Sequence, residues 1–240
     1  MPVNVEQSLR EGLRRTISRN GLLLIVVWAL VGSASLLAYN SWFASLFTSL
    51  PTQPRLIGPT LDISPLIAGV ATGVLYLVSF VVMAGALRTF VTDERQALPV
   101  NYFTRNLGWM LVNLLVGYVL FFIVLWIGFL LLIVPGMFLL VSLFFWFVIV
   151  VVEDRNFYVA FRESWALAKG NRWSLLGIGL TVTVVGWVLM GIPMVLSFVL
   201  SPWVAWVLLG VSVSVFGIFS MATTAQVYVQ LTSGNDAPES

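Results

Sequence analysis

The chain contains no cysteine and no histidine. Disulfides, thiolate nucleophiles and imidazole, the commonest metal ligand, are therefore excluded. The Ser–His and Cys–His pairs of nucleophilic catalysis are excluded for the same reason. The sequence also lacks a glycine-rich phosphate loop, a nucleophile elbow and a metalloprotease motif. We expect no catalytic residue set, no metal site and no cofactor, and we predict that the protein is not an enzyme.

Charge is scarce as well, since only 9% of the 240 residues are charged and 60% are hydrophobic. Soluble domains carry about 25% charged residues. A water-soluble fold of this size could not hide so much apolar surface, so lipid is the expected solvent. The net charge of +2 is too small to favour nucleic-acid binding. The expected partners are membrane lipids, a membrane protein or a second copy of the chain.

Long apolar runs define the spans, because a helix that crosses the hydrocarbon core needs about 20 apolar residues. Residues 107–152 contain no charged side chain and are long enough for two helices. We predict an all-α fold, a polytopic bundle of six transmembrane helices. The expected spans are 21–39, 66–86, 108–132, 137–152, 174–199 and 203–228. They form one domain over residues 1–231, followed by a disordered tail at 232–240. The first run continues to Tyr39, which favours a retained signal anchor over a cleaved signal peptide.

Proline and glycine mark the expected turns. Pro135-Gly136 predicts the turn between the third and fourth helices, and Ser201-Pro202 the turn between the fifth and sixth. Pro193 has two interpretations. It either kinks the fifth helix near its end, which membrane helices tolerate, or marks a break before a short half-helix. We favour the kink, because residues 194–200 alone cannot span.

The basic residues predict the orientation. Segments 1–20, 87–106 and 153–173 would share one side and hold eleven of the 12 Lys and Arg residues, whereas the other side holds only Arg55. The positive-inside rule makes the first side cytoplasmic. We therefore predict a multi-pass protein of the cell membrane with both termini in the cytoplasm. These predicted spans contain no ionisable residue, which argues against a proton relay.

The three basic segments resemble one another. Val5, Leu9, Leu13 and Ile17 recur at spacing four, as do Phe157, Phe161 and Trp165 in the third segment. This is the stripe of an amphipathic helix lying in the membrane interface. One interpretation is three repeated helical hairpins, each led by such a helix. The alternative is that any helix leaving the cytoplasm needs a basic, polar lead-in. The candidate lipid-facing or partner-facing residues are Arg10, Arg14, Arg105, Arg162, Ser164, Lys169 and Arg172.

Several polar and small residues have two interpretations. Asn113, inside the third span, either lines a pathway or makes an interhelical hydrogen bond. Gly69 and Gly73 form a small-xxx-small pattern for helix packing, within the monomer or between protomers. The adjacent acids Asp93-Glu94 and Glu153-Asp154 could bind a divalent cation. Their alternative role is local pairing with Arg95 and Arg155.

One stretch carries a family resemblance. After Pro135-Gly136 come a hydrophobic run, the acidic pair Glu153-Asp154 and the segment Arg162-x-Ser164-x-x-x-x-Lys169-Gly170. This pattern resembles a prokaryotic family of six-helix membrane proteins of unknown function, well represented in haloarchaea. It is similar to the membrane domain joined to some glycerophosphodiester phosphodiesterases. The phosphodiesterase domain itself is absent, so the resemblance implies no hydrolytic activity.

The sequence is compatible with three kinds of function. The main hypothesis is a non-enzymatic membrane protein that acts through lipid or protein partners at the cytoplasmic face. The alternative is a transporter or channel for a neutral or amphipathic solute, suggested by a glycine-rich fifth helix beside a mildly polar third helix. An enzyme comes third, since it would need an unrecognised site built from Asp, Glu, Ser or Tyr.

Overall fold

A computed structural model describes residues 3–47, 56, 58–94 and 97–235, and these residues form helices joined by turns. The prediction of an all-α fold is confirmed. In chain order the helices are α1 (Val5–Thr16), α2 (Arg19–Leu46), α3 (Pro65–Val91), α4 (Asn101–Thr104), α5 (Leu107–Leu131), α6 (Ile133–Ser142), α7 (Trp146–Glu153), α8 (Phe157–Ala168), α9 (Arg172–Leu196) and α10 (Pro202–Asn235).

Six helical stretches of the described chain are long and apolar enough to cross a membrane. They are α2, α3, α5, α6 with α7, α9 and α10, which confirms the predicted number of six membrane-length helices. Several helices extend beyond their apolar runs. Ser18 caps the start of α2 by accepting a hydrogen bond from the backbone N–H of Gly21. Near the other end, Ser41 donates to the Leu37 carbonyl at 2.7 Å, so the helix continues past Tyr39.

The turn between the third and fourth spans lies at Leu132, and our placement of it at Pro135-Gly136 is wrong. Leu132 is extended, with φ −169° and ψ 159°, and α6 starts immediately after it. Pro135 fits the first turn of α6 because an N–H there has no intrahelical acceptor. Gly136 allows α5 to approach, since a Cβ built on Gly136 would clash with the ring of Phe129.

The fourth span is interrupted at residues 143–145, between α6 and α7. The fifth is continuous, because α9 runs through Pro193 and ends at Leu196. The half-helix interpretation of Pro193 is therefore wrong. Pro202 is the first residue of α10, where its fixed φ suits a helix start. Helix α10 continues to Asn235, into the stretch expected to be a disordered tail, and residues 236–240 lie outside the described part.

The buried core gathers at one end of the bundle. Residues 83–90 of α3, 148–151 of α7 and 222–228 of α10 are buried throughout. Each of these helices is the second member of a hairpin, and each is covered by one of the basic lead-in segments. Helix α4 packs on α3, α8 packs on α7, and α1 packs on α10, the last helix of the chain. The lead-in contacts thus connect the first hairpin to the third.

Helices α1 and α8 share a buried small-residue face. In α1 the buried positions are Ser8, Gly12 and Thr16. In α8 they are Ala160, Ser164 and Ala168, again at spacing four. Leu13 and Ile17 of the predicted stripe point outward, at 55% and 63% exposed, whereas Val5 and Phe161 pack against the buried core. The first and third lead-ins therefore match in length and face, whereas α4 has only 4 residues.

We predict that Gly12→Val detaches α1 from α10. A Cβ at Gly12 would meet the Thr223 hydroxyl and would lie 3.0 Å from the Thr223 Cα, which is backbone and cannot rotate away. The chain has no native cysteine, so a single Ser8→Cys, buried against α10, gives a clean maleimide-labelling readout. Labelling should be slow alone and fast when Gly12→Val is added.

Gly73→Val is the matched control, since a Cβ there meets nothing within 4 Å. It should leave the labelling rate at Ser8→Cys unchanged. Equal protection in the Gly12 and Gly73 variants would show that α1 does not depend on this close approach.

Candidate functional site

Arg88 lies at the centre of the polar contacts at the buried end of the bundle. It sits in the last turn of α3 and is only 3% exposed. Its Nε donates to the Val151 carbonyl at 2.8 Å, and Nη1 donates to the carbonyls of Tyr102 at 2.8 Å and Arg105 at 3.1 Å. One guanidinium thus connects α3 to the start of the second hairpin and to α7.

The remaining guanidinium nitrogen, Nη2 of Arg88, contacts Asp154 Oδ1 at 3.1 Å and the Met110 sulfur at 3.9 Å. The other oxygen of Asp154 accepts from Arg105 Nη2 at 2.9 Å. Arg105 also donates to the Val152 carbonyl at 2.8 Å. Asp154 follows α7 with φ 56°, a left-handed conformation that Asp tolerates. A buried cation is thereby neutralised and fully hydrogen-bonded, as burial requires.

The first and third hairpins join this cluster at either side. Arg15 of α1 donates to the Phe90 carbonyl and pairs with Asp93 at 3.4 Å. Asn20 Nδ2 donates to the carbonyls of Glu94 and Ala97. On the α10 side the Tyr228 hydroxyl donates to Glu153. We call this set of contacts the junction; its polar side chains are Arg15, Asn20, Arg88, Asp93, Arg105, Glu153, Asp154 and Tyr228.

The junction is a structural element. Most of its hydrogen bonds end on backbone carbonyls at helix ends, which otherwise lack intrahelical partners. The adjacent acids pair with arginines, as expected from their local-pairing interpretation. Glu153 has the expected partner, Arg155, whereas Asp93 pairs with Arg15 and Asp154 with Arg88. Arg155 pairs with Glu153 at 3.6 Å, and Arg95 lies outside the described residues, like Arg55. Within the described part, no three acidic side chains come close enough to hold a metal ion.

Sequence analysis missed the role of Arg88. We ended the second span at Ala86, so the predicted spans contained no ionisable residue. That expectation is wrong for the observed helix, because α3 runs to Val91 and Arg88 is buried within it. The available signal was local: residues 82–91 are mostly apolar and contain no proline, so a helix that extends past residue 88 was the simpler expectation.

Asn113 makes an interhelical hydrogen bond, which was one of the two roles expected for it. It is 4% exposed. Its Oδ1 accepts from the Phe157 backbone N–H at 3.0 Å, and its Nδ2 donates to the Trp109 carbonyl at 2.9 Å. The amide therefore holds the start of α8 against α5.

Ser164 does not face lipid or a partner, and that part of the prediction is wrong. It is fully buried. Its hydroxyl accepts from the Phe145 N–H at 3.0 Å and donates to the Ser142 carbonyl at 3.1 Å. These are backbone groups at the break between α6 and α7. Ser164 thus provides hydrogen-bond partners for backbone groups at the interruption between α6 and α7.

Arg172 is half-buried, so it is neither a free surface cation nor part of the junction. Its Nε donates to Ser142 Oγ at 3.0 Å. Its guanidinium carbon lies 4.4 Å from the Phe138 ring centroid and 5.2 Å from that of Trp165. It therefore links the start of α9 to α6 and α8.

Other predicted positions are solvent- or lipid-accessible. Arg10, Arg14, Arg162 and Lys169 are exposed, and Arg14 pairs with Glu11 at 3.6 Å. Arg105 is also accessible but belongs to the junction. Tyr158 is 70% exposed and Trp173 85% exposed on the same part of the molecule.

The two glycines proposed for packing differ. A Cβ at Gly69 would lie 3.1 Å from the Trp42 indole nitrogen, so Gly69 does pack α3 against α2. Gly73 has nothing within 4 Å of its Cβ position, which makes its assignment to packing within the monomer wrong. The buried small residues of this region are Ala68 and Thr72.

We predict that Arg88→Gln lowers the stability of the protein by about 3 kcal/mol, because three backbone carbonyls lose a charged donor and Asp154 keeps only one of its two arginines. Arg88→Lys should be intermediate, since an ammonium cannot reproduce the planar fork. The measurement is the midpoint of unfolding in detergent. The control, Arg162→Gln, is exposed and should change stability by less than about 0.5 kcal/mol. Equal midpoints for Arg88→Gln and the control would contradict a structural role for Arg88.

Comparison with known proteins adds a family but no activity. No curated protein and no solved structure matches the chain. A family model does match, and it covers nearly the whole chain. With this match over residues 3–232, the protein belongs to the DUF7847 family, described as a domain of unknown function.

Proposed function

We propose that this membrane protein acts without catalysis, through anionic lipid bound at the end of the bundle that carries α1 and α8. The observation that carries the proposal is the pairing of exposed cations with exposed apolar residues on these two helices. Arg10 and Arg162 are exposed beside Leu13 and Trp165, which are 55% and 40% exposed. Such side chains suit the boundary between headgroups and acyl chains.

The outward faces of α1 and α8 have similar chemistry. Each places an exposed arginine three positions before an exposed apolar residue, and each has a second exposed cation, Arg14 or Lys169. The inner faces are committed to α10 and α7. The outward faces of α1 and α8 therefore remain available to a partner. A lipid surface can contact both their cations, through its headgroups, and their apolar residues, through its acyl chains.

The proposed orientation agrees with this function. We place both termini in the cytoplasm of a cell membrane, because the basic segments gather at one end of the bundle. The exposed cations would then face the leaflet whose lipids are anionic, with about 1 kcal/mol of attraction per basic residue. A prokaryotic origin and a relation to the membrane domain of glycerophosphodiester phosphodiesterases are finer proposals, supported only by the motif from Arg162 to Gly170.

We predict that replacing Arg10, Arg14, Arg162 and Lys169 together by Gln removes a preference for phosphatidylglycerol over phosphatidylcholine. Spin-labelled lipids in vesicles of the two lipids would report which headgroup is enriched around the protein. Wild-type enrichment should fall as salt rises, because exposed charges are screened.

The matched control replaces only the three arginines by lysine, which keeps every charge. It should retain the wild-type preference. A quadruple Gln variant with undiminished phosphatidylglycerol enrichment would count against the proposal.

A second candidate function is transport of a neutral or amphipathic solute. A cavity of about 410 Å³ between α6, α9 and α10 favours it, since Gly179 and Thr183 of the glycine-rich helix line its wall. The third span, α5, was expected to offer Asn113 to such a pathway. Asn113 instead accepts a hydrogen bond from the α8 backbone. Solute flux into proteoliposomes would support transport, and sealed vesicles without flux would favour the lipid-binding proposal.

A further inference from the structure

An apolar cavity of about 410 Å³ lies beside α9. Its walls come from α6, α9 and α10, and include Val141, Phe144, Leu175, Gly179 and Thr223. Along α9 the lining runs from Leu175 to Thr183, which is about 12 Å of helix. The lining is mainly apolar, and its polar members are Thr183, Ser220, Thr223 and Thr224, so its occupant should be largely apolar over this length.

A cation, Arg172, lies about one helical turn before Leu175, the first residue of α9 in this lining. Arg172 lies on the same face of α9 as Leu175, Leu176 and Gly179, at spacings of three, four and seven residues. Its hydrogen-bond partner Ser142 is the immediate neighbour of Val141, which lines the cavity. Arg172 is also the first residue of a membrane-length helix, the level at which phospholipid phosphates lie.

The guanidinium of Arg172 is held in place, but only its Nε donates a hydrogen bond to the described protein. Its Nε binds Ser142, and its plane is packed by Phe138 and Trp165. Within the described chain no carboxylate pairs with Arg172, and its two NH₂ groups make no hydrogen bond to protein. The contrast with Arg88 and Arg105, both paired to Asp154, is clear.

The start of α9 adds further attraction for an anion. Its N-cap, Asn171, makes no side-chain capping hydrogen bond to the described helix and instead accepts from the Val3 N–H at 3.1 Å. The first N–H groups of a helix carry partial positive charge. Lys169, exposed three residues earlier, brings a second cation.

We propose that this region is a binding site for one anionic phospholipid. The headgroup phosphate binds the two free NH₂ groups of Arg172 at the start of α9, and one acyl chain fills the cavity between α6, α9 and α10. A charged head and an apolar tail are the two features that Arg172 and the cavity jointly recognise. The inference rests on the proposed association with anionic lipid, but names a separate, half-buried site for it.

The experiment uses the full-length protein in nanodiscs of phosphatidylglycerol and phosphatidylcholine, each lipid supplied in turn with a diazirine on its acyl chain. After photolysis, cross-linked peptides are mapped. The wild type should cross-link phosphatidylglycerol within residues 175–183. Gly179→Leu should abolish that cross-link, because a Cβ at Gly179 has open space within 4 Å and a leucine would occupy the acyl-chain position.

Gly177→Leu is the matched control. Its Cβ position is equally open, but Gly177 does not line the cavity, so the cross-link should persist. Arg172→Gln should lower phosphatidylglycerol recovery about tenfold, the size expected for losing a charge-assisted hydrogen bond. Arg172→Lys should restore part of the recovery.

Three outcomes would overturn the inference. The first is equal cross-linking in Gly179→Leu and the wild type. The second is equal recovery of phosphatidylcholine and phosphatidylglycerol by the wild type. The third is loss of the cross-link when inorganic phosphate is added, which would point to a soluble phosphate as the ligand. If this cross-linking test fails but phosphatidylglycerol remains enriched around α1 and α8 in a salt-sensitive way, only the Arg172 site is disproved. The proposed lipid association of α1 and α8 would stand.

Discussion

A guanidinium can be buried at the end of an apolar helix only if all its N–H groups find acceptors, and Arg88 meets this demand by recruiting other parts of the chain. Its five N–H groups have five acceptors: the carbonyls of Val151, Tyr102 and Arg105, the Met110 sulfur and Asp154. None belongs to α3. Arg88 therefore adds polar contacts between the first and second hairpins to the apolar packing of Met83 and Leu87 in the shared core.

The distribution of burial follows from that constraint. The second helices of the three hairpins meet at the junction, where each also receives a lead-in helix. Elsewhere α5 and α9 are widely exposed, for example at Trp126 and Trp187, which are 68% and 74% exposed. Lipid tails are as apolar as these side chains, so no hydrophobic force closes the bundle there. The cavity beside α9 borders the buried part of α10, since Thr223, Thr224 and Val227 line it.

The arginines of the described chain form two main groups. Those paired with acids in the junction have a structural role, and the exposed ones carry the proposed function. Arg15, Arg88 and Arg105 have acidic partners in the junction. Arg10 and Arg162 are exposed on helices whose outer faces are partly apolar. Arg172 is intermediate, oriented by Ser142 and two aromatic rings. Cations whose charge is already neutralised stabilise the fold, whereas the others can attract anionic lipid.

The sequence alone determined the helical class, the number of spans and the gathering of basic segments, because hydrophobic length and charge placement are local properties. It also indicated the likeness of the first and third lead-ins, which share a buried face at spacing four. It misplaced the turn at Leu132, because a proline fits a helix start as well as a turn. It assigned Ser164 to a lipid-facing or partner-facing position, because a sequence motif does not show whether a side chain is buried.

Only the tertiary structure decided which side chains meet. The contact of Arg88 with Asp154 joins residues 66 positions apart, and that of Asn4 with Gln230 joins residues 226 apart. No periodicity or spacing encodes such pairs. Whether an arginine is neutralised or free depends on which distant carboxylate folds against it, and that is a property of three-dimensional packing.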